Sequence, residues 1–314
     1  IHMFYRAVSK QGRSVIGYAK LDSQNKVIER FDKPFLAPEY DYESMGLEDP
    51  RITLLEGVYY LFYTAFDGRN ARVAYATSTD LVTFEKKGLV SPGIKYSDVL
   101  ALLNRKALPE KYFYYGERYQ KEFTKDVIVW EKDFYIFPRK IGGKFALFHR
   151  IMPGIQLITV DSLADLSRTD FWKEHIAKLE THVVMNPKMW FENKLIGGGA
   201  PPIETKDGWL LIYHAASEPV TPTSLAQVLA SVAGADKVPS VGHVIANGAA
   251  SQGGSAADEE LGAIGAYRTS AALLDLHDPR KVIGRLASPL FSPTEEWEKK
   301  GFINNVVFPT ATIV

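Results

Sequence analysis

The sequence contains no cysteine. Disulfide bonds, thiol nucleophiles and cysteine-ligated metal sites are therefore excluded. The formal net charge is also zero, because 37 lysines and arginines balance 37 aspartates and glutamates. Proteins that bind nucleic acid or anionic membrane surfaces carry an excess of basic residues, so the composition argues against both kinds of partner.

The sequence also lacks the patterns of several other protein classes. No apolar run reaches the roughly 18 residues of a membrane-spanning helix. The seven histidines show neither HxxxH nor HExxH spacing, so we predict no metal site. The glycine triplet at residues 197–199 lacks the spacing of a nucleotide-binding loop, and no GxSxG elbow is present. Nucleotide binding and elbow-type serine catalysis are therefore not predicted.

Aromatic residues are abundant, with 16 tyrosines and 17 phenylalanines. Such residues favour β-strands, and they also stack on sugar rings, although most of them fill the core. A chain of 314 residues can form one large closed β structure. We therefore predict an all-β fold with a single domain over residues 1–314.

Strand-like segments recur in the order strand, turn, strand and Asp-Leu. The copies lie at residues 3–21, 58–84 and 134–166, and a further copy begins at residue 208. A repeated meander predicts a β-propeller, because each blade covers its faces with neighbouring blades. A β-sandwich is the alternative that the pattern alone leaves open.

Two segments interrupt the repeats. Residues 92–122 are predicted to contain a helix at 97–107 and an aromatic run at 112–115, and to lean over a site between two blades. Residues 218–264 are rich in Ala, Gly and Ser, and are predicted to form a mobile lid or a solvated loop. Both ends of the sequence are strand-like, so we expect residues to be missing at each end.

One segment, GLEDPRIT at residues 46–53, directly precedes an aromatic strand. Pro50 favours an extended conformation at Asp49, and the segment can thus present a carboxylate that acts as a general acid. The alternative is an aspartate that only caps a turn. Asp126, which also precedes a predicted strand, is a second candidate for the site. The alternative is a turn residue paired with Lys125.

Basic residues gather at the ends of predicted strands, and Lys194 precedes the glycine triplet. In a propeller, equivalent positions on the innermost strands face one central funnel. Equivalent positions in the repeats are occupied by Arg6, Tyr63, Arg150 and His214. A ring with three groups that are or can become cationic would bind an anion, and phosphate suits the fork of a guanidinium.

These segments resemble the β-mannoside phosphorylase family, glycoside hydrolase family 130. The matching segments follow the family's order and cover nearly the whole chain, at residues 46–53, 124–126, 149–150, 194–203, 211–214 and 267–279. The resemblance implies a five-bladed β-propeller with short helical insertions. It also implies inverting phosphorolysis of a β-mannosyl oligosaccharide to mannose 1-phosphate, with phosphate as co-substrate and no cofactor.

The resemblance assigns a role to each candidate residue. Asp49 matches the family's proton donor, which is thought to act through a hydroxyl of the mannosyl ring. The phosphate ligands of the family are matched by Arg150, Lys194 and His214. Positions near the sugar are matched by Arg6, Arg51, Asp126 and Tyr267. Phosphate is already an anion, so the protein needs to align and neutralise it rather than supply a base.

Two alternatives to a phosphorylase remain open from the sequence. The first is a β-mannosidase that uses water, although such relatives tend to lose the phosphate cations that this sequence contains. The second is a propeller without catalysis, which binds carbohydrate or another protein, and against which Asp49 argues. The linkage is left open.

The resemblance also bears on partners. It implies an oligosaccharide and phosphate as partners, and homo-oligomers are frequent in the family. Separately, we expect a cytoplasmic location, with an exported form left open. Further strands with sugar-site residues, expected before Arg6 and after Pro309, are not in this sequence.

Overall fold

The computed structural model describes residues 1–91, 93–123, 127–219, 265–301 and 303–313. Within these residues the fold is mostly β, and the strands form three sheets of seven, four and five strands. The predicted lid or loop at residues 218–264 lies almost wholly outside the described residues. The prediction of a fold made mostly of β-strands is confirmed, whereas the number of propeller blades stays a prediction.

The first sheet consists of two antiparallel halves. Its strands are β1 (His2–Val8), β2 (Ser14–Leu21), β3 (Val27–Arg30), β4 (Gly46–Leu55), β5 (Val58–Phe66), β6 (Ala71–Ser78) and β7 (Glu85–Leu89). Strands β1 to β3 form one half and β4 to β7 the other. A single parallel pair, Ser14 with Gly46, joins the two halves.

The second and third sheets are antiparallel throughout. The second contains β8 (Lys132–Ile136), β9 (Phe145–Arg150), β10 (Ile155–Val160) and β11 (Val183–Met185). The third contains β12 (Leu195–Gly198), β13 (Ile203–Thr205), β14 (Gly208–Ala216), β15 (Tyr267–Leu274) and β16 (Val282–Arg285). Strands β12 and β13 pair with successive parts of β14, and the four residues 199–202 between them oppose only Leu211 and Ile212.

Short helices connect and flank the sheets in the described residues. They are α1 (Tyr96–Leu102), α2 (Lys111–Phe123), α3 (Thr169–Ala177), α4 (Leu179–His182) and α5 (Glu296–Lys299). The helix predicted at residues 97–107 is confirmed but ends earlier, and the aromatic run at 112–115 lies in α2, which the sequence did not predict as a helix. None of the described helices is long and apolar enough to span a bilayer.

Turn residues explain why the predicted hairpins form. Glu56 and Gly57 have φ of 51° and 81°, as a two-residue hairpin between β4 and β5 requires. In the next turn the Asp67 carboxylate accepts hydrogen bonds from the backbone N–H groups of Arg69 and Asn70. The predicted strands at residues 71–78 and 155–160 are confirmed to the residue.

The three sheets meet at one centre. Strands β4 and β12, which belong to the first and third sheets, both contact β8 of the second sheet. Phe62 and Phe134 pack in the core between the first and second sheets, and Phe148 and Trp209 pack in the core between the second and third. Such an arrangement differs from the two facing layers of a sandwich.

A buried glutamate unit occurs twice and shows that the repeats are related. In the first copy, Glu43 accepts hydrogen bonds from the Tyr63 hydroxyl (2.7 Å) and from the Lys86 ammonium (2.7 Å). Burial raises the pKa of Tyr63, so its hydroxyl remains a donor. The second copy contains Glu192, Tyr213 and Arg285. The prediction that Tyr63 faces a central funnel is therefore wrong, because its hydroxyl is bound within this unit.

Candidate active site

Asp49 lies inside β4, at a β-bulge. Glu48 pairs with Thr64 and Arg51 pairs with Phe62, so residues 49 and 50 together oppose one residue of β5. The φ of Asp49 is 50°, a left-handed conformation that aspartate tolerates better than most residues. The prediction of an extended Asp49 before the strand is therefore wrong. Because of the bulge, the carboxylate does not follow the regular alternation of side chains between the two faces of the sheet.

Arg6 lies beside this carboxylate. Its Nε donates to the Ser14 hydroxyl (2.9 Å), and one terminal nitrogen donates to Glu48 (2.8 Å). These two contacts fix the guanidinium, and its other terminal nitrogen lies 3.6 Å from Asp49 Oδ1. The predicted proximity of a basic group and the candidate acid is thus present in the structure.

A second aspartate, Asp133, has the same local structure and was missed by the sequence analysis. Its φ is 58°, and it lies at a bulge where Lys132 pairs with Arg150 and Tyr135 pairs with Phe148. Asp133 is thus the counterpart of Asp49 in the neighbouring sheet. Its carboxylate is almost completely buried, at 2% side-chain exposure.

Asp133 joins basic side chains from all three sheets. Its Oδ1 accepts a hydrogen bond from Arg51 (2.9 Å), and its Oδ2 lies 2.9 Å from Arg150 Nε and 3.5 Å from His214 Nε2. Burial alone would raise the pKa of Asp133, but Arg150, His214 and Arg51 lower it to about 2. The buried carboxylate is therefore ionised and orients the basic groups around it.

The basic cluster, defined as Arg150, Lys194 and His214, differs in one respect from the prediction. Burial, with a further contribution from Arg150 that Asp133 partly offsets, lowers the pKa of His214 to about 3. His214 is thus a neutral ring at neutral pH, and its Nδ1 has no hydrogen-bond partner in the described part of the chain. Arg150 lies 3.4 Å from the other ring nitrogen, His214 Nε2.

Arg150 and His214 line one cavity together with Asp49, and Lys194 is not among its described lining residues. This cavity, called here the main cavity, has a volume of about 330 Å³. Its lining consists of Arg6, Asp49, Lys132, Asp133, Arg150, His214, Tyr267, Ile303, Val306 and Phe308. Five of the predicted site residues are among them. Distant segments therefore converge on a single pocket, as expected, although Arg150 and His214 lie on β9 and β14, which pair with the central strands rather than forming them.

Arg51 is buried behind the residues that line the main cavity. Its Nε donates to the carbonyl of Gly199 (2.7 Å), and another nitrogen donates to the carbonyl of Gly198 (3.0 Å) and to Asp133. The side chain is buried, with 1% exposure. The structure thus shows Arg51 holding two strands and Asp133 together, and direct contact with a sugar stays a prediction.

The glycine triplet lets β12 lie directly against the site. A Cβ atom on Gly197 would lie 2.3 Å from Asp133 Oδ2 and 2.5 Å from the His214 ring, and one on Gly198 would lie 2.2 Å from the Tyr135 hydroxyl. No side chain fits at either position. The triplet therefore serves close packing behind the basic cluster.

Asp126, predicted near the sugar, lies outside the described residues. A Lys-Asp pair also stands at residues 132–133, where it opens strand β8 of the core. The signal that could have identified Asp133 was therefore present, as a charged pair directly before the alternating strand 134–138.

A row of histidines lies outside the main cavity. His149 lies next to Arg150 in β9, and its ring nitrogens are 3.0 Å from Glu131 and 2.9 Å from His175 Nε2. The ring of His182 stacks on His175 with a centroid distance of 4.1 Å. Burial lowers the pKa of His175 well below its usual value and that of His182 to about 4. In the described residues, no group of three or more His, Asp or Glu side chains is arranged to bind a metal ion.

These pKa values predict a loss of stability in mild acid. Between pH 6.5 and 4 the unfolded chain protonates His175, His182 and His214, whereas the folded chain does not. The free energy of unfolding is therefore highest above pH 6.5 and falls as pH decreases, by at most about 1.4 kcal/mol per pH unit for each histidine. Urea titrations at pH 7.5, 6.0 and 5.0 measure this slope.

His182→Gln is expected to reduce that slope, and the exposed His277→Gln serves as the control. A free energy of unfolding that does not change between pH 7.5 and 5.0 would contradict the prediction.

Comparison with known proteins places the chain among carbohydrate phosphorylases. The sequence profile of a family described as β-1,4-mannooligosaccharide phosphorylase, glycoside hydrolase family 130, matches residues 1–230 and 261–314. A 1,2-β-oligomannan phosphorylase of Thermoanaerobacter sp. is 32% identical over 100% of the chain and 78% of the relative. A β-1,2-mannobiose phosphorylase of the same organism is 31% identical over 99% of the chain and 78% of the relative.

A solved structure shares the fold. The β-1,2-mannobiose phosphorylase of Listeria innocua, in complex with β-1,2-mannobiose, superposes with a TM-score of 0.59 at 22% identity. The match covers 96% of this chain but only 61% of that protein, so the chain spans less than two thirds of its length. At this identity the likeness concerns the fold alone.

Proposed function

The chain belongs to the β-1,4-mannooligosaccharide phosphorylase family, glycoside hydrolase family 130, and we propose that it cleaves a β-mannosyl oligosaccharide with inorganic phosphate. The products are mannose 1-phosphate and a sugar shortened by one residue. The observation that carries this proposal is the main cavity, in which the Asp49 carboxylate and the basic residues Arg150 and His214 line one space. This combination provides an acid and an anion site, the two requirements of phosphorolysis.

In the proposed reaction, a phosphate oxygen forms a bond to C1 of the mannosyl residue while the bond from C1 to the acceptor oxygen breaks. The acceptor oxygen receives a proton from Asp49, directly or through a sugar hydroxyl. The proton carried by hydrogen phosphate is released as mannose 1-phosphate forms, which balances the proton that Asp49 gives. Attack opposite the leaving group inverts C1, and the protein contributes mainly alignment and charge neutralisation.

The charges around the basic cluster suit a dianion. Arg51, Arg150 and Lys194 supply three positive charges, and Asp133 supplies one negative charge. The Lys194 ammonium has no hydrogen bond or ion pair to any residue in the described ranges, so it is available for a ligand. His214 is neutral and offers a ring N–H to a phosphate oxygen without adding charge. Tyr267, which also lines the cavity, can donate its hydroxyl.

The relatives support a more specific substrate. Both curated relatives that match nearly the whole chain are named as β-1,2 enzymes, whereas the family description names the β-1,4 linkage. We therefore propose a β-1,2-linked mannoside as the preferred substrate. Phosphate is proposed as the co-substrate without any cofactor, and the cytoplasmic location and homo-oligomeric state stay predictions.

The sheet pattern supports a propeller of five blades. The parallel pair of Ser14 and Gly46 lies where the two halves of the first sheet meet, and a second parallel pair joins Tyr267 and Val306. Each half of the first sheet then counts as one blade, the other two sheets supply one blade each, and Val306 lies at the start of a fifth unit.

The test is a product assay with β-1,2- and β-1,4-mannobiose, each with and without phosphate. We expect mannose 1-phosphate with phosphate and almost no cleavage without it. Equal release of free mannose in both conditions would indicate the hydrolase alternative. Binding of mannobiose without any cleavage would indicate the carbohydrate-binding alternative.

Arg150→Ala is expected to raise the KM for phosphate by at least about tenfold, because the proposed charge-assisted contact to phosphate is lost. Arg150→Lys is expected to give an intermediate value, since lysine keeps the charge but not the planar fork. Initial rates at varied phosphate and saturating mannobiose give the KM. The exposed Arg168→Ala is the control, and an unchanged phosphate dependence in Arg150→Ala would contradict the assignment.

A further inference from the structure

The main cavity adjoins a second cavity, called here the side chamber, with a volume of about 210 Å³. The two cavities share Lys132, Arg150 and Tyr267 as lining residues. The side chamber is bounded on one side by Lys194 of the basic cluster. On the other side it is bounded by α2, through Tyr115, Arg118, Tyr119 and Glu122. It therefore reaches the basic cluster from the side of α2.

Helix α2 is attached to the strand behind the basic cluster. The Tyr115 hydroxyl donates a hydrogen bond to the backbone carbonyl of Lys194 (2.8 Å). Tyr115 and Met152 also belong to one buried apolar cluster with Leu195. The wall that α2 contributes to the side chamber is thus fixed relative to the basic cluster.

The two cavities differ in whether their lining contains the candidate acid. Asp49 and Arg6 line the main cavity and are not among the described residues that line the side chamber. Asp49, as the acid, marks the side on which the acceptor sugar leaves, and an inverting displacement requires the nucleophile to arrive on the opposite side. Of the three proposed phosphate ligands, Arg150 and Lys194 line the side chamber, and Arg150 and His214 line the main cavity. The side chamber therefore adjoins the place that we assign to the nucleophile.

The charge of the side chamber is mostly positive. Its lining contains four cationic side chains and a single carboxylate, Glu122. The cationic residues are Arg118, Lys132, Arg150 and Lys194. Arg118 donates to Glu122 (2.7 Å), but both side chains are more than 40% exposed, so water screens the pair. A cavity lined mainly by charges of one sign raises the local concentration of small ions of the opposite sign.

We propose that the side chamber is the route by which inorganic phosphate reaches the basic cluster, and that Arg118 of α2 attracts phosphate at its outer side. The proposal rests on the proposed function, because it assigns the path of the co-substrate in that reaction. The oligosaccharide then occupies the main cavity, and the two substrates approach C1 from different directions.

Two substitutions on α2 with opposite effects test this route. Arg118→Ala is expected to raise the KM for phosphate roughly three- to tenfold, because one attracting charge is removed. Glu122→Gln is expected to lower the KM for phosphate, because the carboxylate that repels the anion at the chamber is removed. In both variants kcat at saturating phosphate and the KM for mannobiose are expected to stay near the wild-type values, since neither residue lines the main cavity.

The matched control is Lys121→Ala, which removes an exposed charge from the same helix outside the chamber lining. Thermal denaturation of each variant shows whether α2 remains folded. Repeating the phosphate titration in added sodium chloride is expected to reduce the difference between Arg118→Ala and wild type, because salt screens exposed charges.

Three outcomes would overturn the proposal. An unchanged KM for phosphate in both α2 variants would exclude the side chamber as the route. An increase in the KM for mannobiose in Arg118→Ala would make the chamber a sugar subsite. A decrease in phosphate affinity with Lys121→Ala equal to that with Arg118→Ala would indicate a general effect of net charge. Failure of the wild-type chain to form mannose 1-phosphate would instead refute the proposed function itself.

Discussion

Asp49→Asn is expected to lower kcat for mannobiose phosphorolysis by about 1,000-fold while the protein remains folded. Asparagine has nearly the same shape but carries no acidic proton for the leaving oxygen. It also tolerates the left-handed conformation that residue 49 adopts, with φ of 50°. The contact that is lost, 3.6 Å from Arg6, is long, and Arg6 keeps its hydrogen bonds to Glu48 and Ser14.

An activated substrate sharpens this test. A 4-nitrophenyl β-mannoside has a leaving group that needs little protonation, so the loss in Asp49→Asn is expected to be much smaller with it than with mannobiose. Asp161→Asn, at a surface position with 77% side-chain exposure, is the control. If Asp49→Asn turned over mannobiose at the wild-type rate, Asp49 would not be the acid.

Asp133→Asn is expected to destabilise the fold by about 3 to 5 kcal/mol and to reduce phosphorolysis at the same time. The buried carboxylate neutralises Arg51 and Arg150, and an asparagine leaves both cations without a counter-charge. Its amide oxygen can accept from one of them, but its amide nitrogen then faces the other. The loss of stability is expected to appear in urea unfolding, and the loss of activity as a higher KM for phosphate.

A second substitution separates charge from shape at this position. Arg51→Met in the Asp133→Asn background removes one of the two uncompensated cations, so it is expected to restore part of the lost stability. Additive losses in the double variant, or a wild-type free energy of unfolding in Asp133→Asn, would show that Asp133 does not hold the cations together.

Local patterns explain which parts of the fold the sequence predicts well. Strands β6 and β10 were predicted to the residue, because strong alternation or an apolar run is bounded by clear turn residues such as Gly68. Helix α2 was missed, because its aromatic run also suits a strand and only contacts with the rest of the fold decide between them. Tyr63 was assigned to the wrong surroundings, because it is the counterpart of Tyr213 and not of His214, and neighbouring residues of a strand face opposite sides.

The site was predicted in part, for a related reason. The candidate acid and two residues of the basic cluster, Asp49, Arg150 and His214, share the main cavity as expected. Asp133 was missed because a Lys-Asp pair is ordinary in a sequence, and only the fold brings Arg51 and Arg150 to it. The neutral state of His214 could not be read from the sequence either, because it follows from burial that depends on all three sheets.

The bulge in β4 defines what a protein engineer would have to transplant in order to place this acid in another scaffold. The direction of the Asp49 carboxylate comes from two residues that oppose one across the hairpin and from a left-handed backbone, not from the reach of the side chain. A glutamate grafted onto a regular strand would therefore point elsewhere. The unit to transplant is the hairpin of β4 and β5 together with its β-bulge. The hairpin of β8 and β9 contains the same bulge, with Asp133 in the equivalent place.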